Sequence, residues 1–312
     1  MPGEVAYVTA VQATLRDRVA AVYNKTGAVT NGEKVDVLEH AHNGRFLRVR
    51  DARGEEGWLE QRYLAGEPVF RAFQKLAGQN ATIPSQATAT TRADLNMHLA
   101  PARDSEHLFQ LKEGEKLQIL KRASAPKSGP PGGEAVTVAA GEPAAPAAFE
   151  DWWLVRGPQN RYGWVLARMV DFDVPLEVAQ YAEGQRIIAA FVLNNVSDAG
   201  KPVPQYLLLL NEPKDGMPQD FNQLRVFTWN AKRHHYETAY RDRNLFGVLP
   251  AHAGTANFGK EGTLPTFTVL LRGGSGNLEE RQYKLNGVMV RRVLAPGQTA
   301  PAPRARSSRR RG

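Results

Sequence analysis

Residues 32–38 read GEKVDVL and residues 114–120 read GEKLQIL. Beyond each, FLRVRDARGEEGWL (46–59) aligns without gaps to WWLVRGPQNRYGWV (152–165). The alignment pairs Phe46 with Trp152, Val49 with Val155, Arg50 with Arg156, Gly57 with Gly163 and Trp58 with Trp164. An internal repeat of this kind sets the unit of folding. VDVL and LQIL alternate apolar and polar residues with period two, and FLRVR and WWLVR combine aromatic and β-branched residues, so both pairs predict strands. Gly, Asn and Asp cluster at 42–44, 51–54 and 157–160, where they supply turns. Short strands, tight turns and a recurring Gly-Trp pair predict a small barrel, with Trp58 and Trp164 in its core.

The copies differ in spacing, since 25 positions separate Gly32 from Gly57 and 49 separate Gly114 from Gly163. The excess falls in residues 123–148, where 9 of 26 residues are Ala, 5 are Pro and 4 are Gly. That composition predicts a disordered insertion between two strands. Such a loop is tolerable because closure entropy grows only logarithmically with length.

Each unit resembles a bacterial SH3 domain. The first carries YVTAVQATLRDR (7–18), GEKVDVL, FLRVR and EGWLEQRYL; the second carries DLNMHLAP (94–101), GEKLQIL, WWLVR and YGWVLARMV. The order of these motifs, found twice, carries the resemblance, which covers about half the chain. Departures fall in loops: Val19-Ala20-Ala21-Val22 stands where the family commonly has a Gly-Pro-Ser turn, and Ala100-Pro101-Ala102 occupies the corresponding region of the second unit. The resemblance implies two SH3-like barrels that recognise peptide or cell-wall material at the bacterial envelope.

Between the units, PVFRAFQKLAGQN (68–80) sets Val69, Phe70, Phe73 and Leu76 on one helical face, with Pro68 in the first turn and Gly78 toward the end. This predicts a linking helix that packs on a barrel. Residues 172–297 contain no further copy and read as strands: IIAAFVL (187–193), QYLLLL (205–210), LRVFTWN (224–230), YETAYRD (236–242), TFTVLLR (266–272), LEERQYKL (278–285) and VMVRRV (288–293). Asn286-Gly287 is a strong hairpin signal, and LEVAQYAEGQRI (176–187) is a candidate helix. The expected fold is mainly β. It comprises SH3-like units at 5–66 and 84–171, a linking helix within 67–83, a β-rich domain at 172–297 and a disordered basic tail at 298–312.

The net charge of +8 hints at nucleic acid, but its distribution removes the hint. Residues 1–80 carry 11 basic and 10 acidic side chains, residues 81–171 carry 10 of each, and residues 172–303 carry 14 and 12. The last nine residues hold five Arg and no acid. A basic tail adds anion attraction without specificity. The absence of cysteine excludes disulfides, a thiol nucleophile and Cys-based metal sites. No apolar run approaches a membrane span. No signal peptide is visible after Met1, so the expectation is either a cytoplasmic protein or, as the resemblance implies, an envelope or periplasmic protein whose export segment lies outside this sequence.

Candidate chemistry is sparse. Gly254 to Lys260 matches the start of a phosphate-binding loop, but Glu261 stands where Ser or Thr should reach Mg²⁺, and a strand follows instead of a helix. Gly274-Ser275-Gly276 reads as a hairpin turn. His234 and His235, adjacent on a strand, point to opposite faces and do not make a metal site. The acidic pairs Glu55-Glu56, Glu150-Asp151 and Glu279-Glu280 read as solvated charges. Arg225, Lys232, Arg233, Arg241 and Arg243 lie among Phe227, Trp229, Tyr236 and Tyr240, and parity sets Arg225 on the face of Phe227 and Trp229.

These readings predict a non-enzymatic binding or scaffold protein with no catalytic residue, no cofactor and no metal. Its candidate contact residues are Phe46, Tyr63, Trp152 and Trp153, and its partner a peptide, protein or peptidoglycan ligand rather than a specific nucleic acid. Strand parity sets Phe46 and Trp152 on the outer face of their barrels, either as a peptide platform or packed on a neighbouring element. Two alternatives stand beside this reading. One is an enzyme with its active site in 172–297, using a set such as His235, Glu237 and Arg241. The other is a structural assembly module.

Overall fold

The computed structural model describes residues 3–127 and 148–294, and within them the chain is mainly β. In the first unit, strands β1 (Val5–Val8), β2 (Gln12–Arg16), β3 (Lys25–Thr30), β4 (Lys34–Ala41), β5 (Phe46–Arg50), β6 (Glu56–Glu60) and β7 (Leu64–Gly66) form an antiparallel sheet of order β3-β2-β6-β5-β4-β1-β7. The sheet curls around its own inner face, where Val8, Leu15, Val29, Val35, Leu47, Val49 and Leu59 from six strands make one core. After helix α1 (Glu67–Asn80) the pattern returns with β8 (Ala87–Thr91), β9 (Leu95–His98), β10 (His107–Leu111), β11 (Lys116–Pro126), β12 (Phe149–Arg156), β13 (Tyr162–Leu166) and β14 (Val170–Phe172). Their order, β10-β9-β13-β12-β11-β8-β14, matches the first sheet strand for strand.

The glycines of the two Gly-Trp pairs show the physical constraint that both copies obey. A Cβ on Gly57 would lie 2.6 Å from the Leu15 Cβ, and one on Gly163 would lie 2.6 Å from the Met97 Cβ. Only a bare backbone lets β6 and β13 cross β2 and β9 so closely. Trp58 and Trp164, expected in the core, are instead half-buried, because strand alternation gives the inward positions to Leu59 and Val165.

β11 and β12 extend farther than their motifs implied. They stay paired out to Pro126 opposite Phe149, and the Lys127 N–H donates to the Ala148 carbonyl. Residues 123–127 and Ala148 are therefore ordered hairpin rather than insertion; the rest of the expected insertion, 128–147, lies outside the described residues, as does the expected tail.

Helix α1 joins the two units by packing between them. Phe70 stacks on Tyr7 of β1 with centroids 3.9 Å apart, and Phe73, only 2% exposed, meets Phe109 of β10 edge-on. Asn31 adds a polar link, accepting from the Gln110 N–H and donating to the Leu108 carbonyl. The helix runs past Gly78, so that glycine does not end it.

The remaining strands are β15 (Arg186–Asp198), β16 (Lys201–Asn211), β17 (Phe221–Asn230), β18 (His235–Asn257), β19 (Thr263–Arg272), β20 (Leu278–Asn286) and β21 (Met289–Val293), in a seven-stranded meander. The expected helix over 176–187 is only α2 (Leu176–Ala179) and one 3₁₀ turn; Glu183 and Gly184 have positive φ and turn the chain into β15. The hairpin loop is Gly287-Val288, one residue later than Asn286-Gly287, because Asn286 pairs with Met289. The boundary expected at 171/172 falls inside β14, where Phe172 pairs with Ala89.

The apolar run of β16 is covered on both faces. Leu207 and Leu209 join Leu224 and Val226 in a core shared with Ile119, Trp153, Val155 and Val165 of the second sheet. Tyr206, Leu208 and Leu210 pack with Phe227 and Tyr236 beneath Val178 and Ala182. Gln86, with no exposed surface, fastens the two sheets: its side-chain amide accepts from the Ala251 N–H and donates to the Ala251 carbonyl.

Replacing Gly57 or Gly163 with Ala should destabilise the protein by about 1–3 kcal/mol, as overpacking does in a closed core. At exposed Gly78 an added Cβ would meet nothing within 4 Å, so Gly78→Ala should stabilise α1 by about 0.5–1 kcal/mol. Urea unfolding of the three variants checks both signs.

Candidate functional site

The four residues expected to contact a ligand are placed differently in the two units. Phe46 and Tyr63 are partly exposed on the first, where Phe46 faces His42 and Tyr63 lies under Arg62. Trp152 and Trp153 are each 1% exposed, so neither forms an open platform. The cause is that β12 is covered on both sides, unlike its counterpart β5. Trp153 joins the core shared with the third sheet, and Trp152 packs edge-on against His98.

The acidic pair before these tryptophans is buried as well, which corrects its reading as solvated charge. Glu150 is 4% exposed and takes hydrogen bonds from Arg103 and Arg168, which pull its carboxyl below the usual range with Arg103 the stronger. Asp151 accepts from Arg122 at 2.9 Å and from Arg186 at 2.7 Å, and also from the Gly216 N–H. Arg122 in turn donates to the carbonyls of Met217 and Gln219. These bonds join the second sheet to β15 and to the segment after β16.

Beside this network opens a cleft of about 440 Å³, bounded by the second sheet on one side and by α2 and the start of β15 on the other. Its apolar part includes Trp153, Phe172 and Ile187, with Ala179 of α2 on the wall. Ion pairs of both signs border it: Arg92 with Asp171, and Arg186 with Asp215. A site of this size, at a junction and part apolar, suits an organic ligand with polar groups.

The set His235, Glu237 and Arg241 does not converge. Pairing on β18 shifts between Thr238, opposite Phe227, and Tyr240, opposite Val226, so Ala239 is bulged. The bulge moves Arg241 to the face of Tyr236 and Thr238, opposite to that of His235 and Glu237. His235 and Glu237 meet each other at 3.3 Å, while Arg241 bonds Glu183. His234 turns to Asp198. Gly254 to Lys260 runs from the end of β18 into a short turn, and Gly273 to Gly276 form the turn before β20.

Arg225 and Arg241 sit directly opposite one another on β17 and β18, an arrangement that repulsion disfavours. Glu183 offsets it by accepting from both. Arg225, 1% exposed, also donates to the Tyr181 carbonyl. The hydrogen bonds from Arg225, then those from Arg241, hold the Glu183 carboxyl at about 2, against an ordinary 4.5. Sequence parity set Arg225 on an apolar face; the compensating Glu183 is 42 residues away and had no local signal.

No family model and no curated protein matches this chain. Among solved structures it is similar to an NlpC/P60 family protein from Bacillus cereus, with 10% identity, a TM-score of 0.25 and coverage of 94% of this chain and 95% of that one. It is similar to NlpC2 from Trichomonas vaginalis at 8% identity and a TM-score of 0.19, covering 89% and 91%. It is also similar to an NlpC/P60 endopeptidase from Photobacterium damselae subsp. piscicida at 10% identity and a TM-score of 0.23, covering 92% and 66%. The expectation of a non-enzymatic scaffold stands against these neighbours, one of which is named an endopeptidase. At such TM-scores they transfer no residue role to this chain.

Two outcomes follow from the charge geometry. Asp151→Asn removes the nearer counter-ion of buried Arg122, leaving only Asp220 at 3.4 Å, and should cost about 3 kcal/mol in urea unfolding. A carboxyl depressed by folding stabilises above its unfolded value and loses that contribution as pH falls toward its folded value. Stability should therefore decline between pH 4.5 and about 2 with a share due to Glu183. Glu183→Gln should be less stable at neutral pH and show a shallower decline across that window, as followed by thermal melts.

Proposed function

We propose that the chain is an enzyme acting on a peptide-bearing ligand of the kind that cell-wall material presents, held in the cleft between the second sheet and residues 172–187. The cleft carries this reading. Its apolar surface beside ion pairs of both signs matches a peptide, which offers apolar side chains, amide groups and charges together. One wall belongs to the part of the chain set aside as a possible active-site region. The cleft presents two carboxylates, Asp171 and Asp215, for proton transfer to or from water, and no thiol competes because the chain has no cysteine.

In this reading the two N-terminal sheets are SH3-like modules that hold the protein on its target at the bacterial envelope. Their shared strand order and the motifs at equivalent positions support it. Phe46 and Tyr63, partly exposed on the first unit, are the aromatic contacts that remain open for this role.

Purified protein incubated with peptidoglycan, or with its soluble peptide fragments, should release new amino groups. Ala179→Trp, which fills the cleft from an incompletely buried helical position, should lower that rate about tenfold or more, equivalent to roughly 1.4 kcal/mol. Circular dichroism should show the fold unchanged. Absence of release by the unmodified protein, or an unaffected rate in the filled variant, refutes the assignment.

A further inference from the structure

A second pocket, of about 240 Å³, opens on the α2 side of the third sheet. It is lined by Glu183, Gln185, Asn222, Gln223, Arg225, Arg243 and Asn244, all polar. Most of their mutual hydrogen bonds form a fixed scaffold. Gln223 donates to the Gln185 side-chain carbonyl at 2.8 Å, and Arg243 Nε donates to the Gln223 side-chain carbonyl at 2.9 Å. Gln223 is 2% exposed, so Arg243 is held by a rigid partner.

Several groups in this scaffold are left without partners. Arg225 Nε and Asn222 Oδ1 are buried, and neither forms a hydrogen bond. Arg243 forms no ion pair among the described residues, and its terminal guanidinium nitrogens lie on an exposed residue. Pairing shifts between Phe221, opposite Gly247, and Gln223, opposite Arg243, so the extra residues are 244–246 of β18, directly after Arg243, and Asn244 there has positive φ. Bulged strands re-aim side chains at sites of this kind. Buried polar groups in folded proteins are nearly always satisfied, so orphaned ones beside a polar cavity call for a ligand or ordered solvent.

The chemistry of the orphans restricts the ligand. Two guanidinium groups and one carboxylate give the lining a single net positive charge, which matches a monoanion; a phosphate dianion would place extra negative charge beside Glu183. A guanidinium fork takes a carboxylate through two parallel hydrogen bonds. Asn222 Oδ1 is an acceptor and needs a donor close to that carboxylate. An acylated amino acid carries both groups two bonds apart, a carboxylate and the amide N–H of the same residue.

We propose that this pocket binds the C-terminal carboxylate of a peptide, with Arg243 holding the carboxylate and Asn222 accepting the N–H of the terminal residue. The pocket is distinct from the cleft, though Gln185 borders both, and the inference stands whatever the cleft holds.

Titration of the full chain with N-acetylalanine, followed by calorimetry or chemical-shift changes, tests it by binding alone, without turnover. N-acetylalanine should bind, and N-acetylalaninamide, which lacks the charge, should bind about tenfold more weakly or less, as loss of a charge-assisted hydrogen bond implies. Glucuronate, a carboxylate with no amide N–H, should also bind about tenfold more weakly, and inorganic phosphate no more tightly than glucuronate. Arg243→Ala should weaken N-acetylalanine about tenfold, and Arg243→Lys should recover part of the loss, since the charge returns without the fork. Exposed Arg243 is the chosen position because Arg225→Ala would disturb folding. No binding at millimolar concentration, equal binding of acid and amide, or indifference to Arg243→Ala overturns the proposal. Glucuronate binding as tightly as N-acetylalanine overturns the peptide terminus as ligand, and phosphate binding more tightly overturns the monoanion.

Discussion

Asp151 is the charge on which the junction between the second and third sheets depends. Its side chain is 1% exposed, that of Arg122 is 3% exposed, and Arg186 supplies a second cation from β15. Burying such charges costs several kcal/mol per ion unless their hydrogen bonds are completed. Here they are completed by groups from three parts of the chain, including the Met217 and Gln219 carbonyls and the Gly216 N–H. The desolvated network therefore permits one arrangement of β11, β12, β15 and the segment after β16. The cleft exists because that arrangement is held: Arg186 both anchors Asp151 and borders the opening through Asp215.

The two N-terminal sheets show how one topology yields different surfaces. Their strand orders match, and Gly57 and Gly163 meet the same steric demand. Yet β5 alternates buried and exposed residues, whereas six consecutive residues of β12 are buried. The difference comes from neighbours. The outer side of β12 is covered by α1 and its surroundings, with Leu154 packed near Leu76 and Ile83, and its inner side continues into the core of the third sheet. Aromatic residues that would have formed a surface in an isolated unit become cement between units.

Much of the fold was legible because strands declare themselves locally. Period-two alternation marked β4 and β11, apolar runs marked β15 and β16, and the turn glycines separated the later strands of the meander. The candidate sites were far less legible. The bulge at Ala239 changes the face of every residue after it, and so separates Arg241 from Glu237 while bringing it to Glu183. Nothing in the local sequence announces that extra residue, since its position is set by the pairing of β17 with β18. The burial of the acidic pair at 150–151 has no local signal for a related reason: its arginine partners lie 18 to 47 residues away.

By itself the sequence determined a mainly β chain with two matching units, a helix between them, no cysteine and a charge that is nearly balanced outside the last nine residues. These follow from periodicity, composition and steric rules that act over a few residues. Only the tertiary structure decided which faces are covered, which charges are desolvated and where cavities remain. Burial is a property of elements meeting from distant parts of the chain, so an Arg that parity sets on an apolar strand face becomes intelligible only when Glu183 arrives to neutralise it.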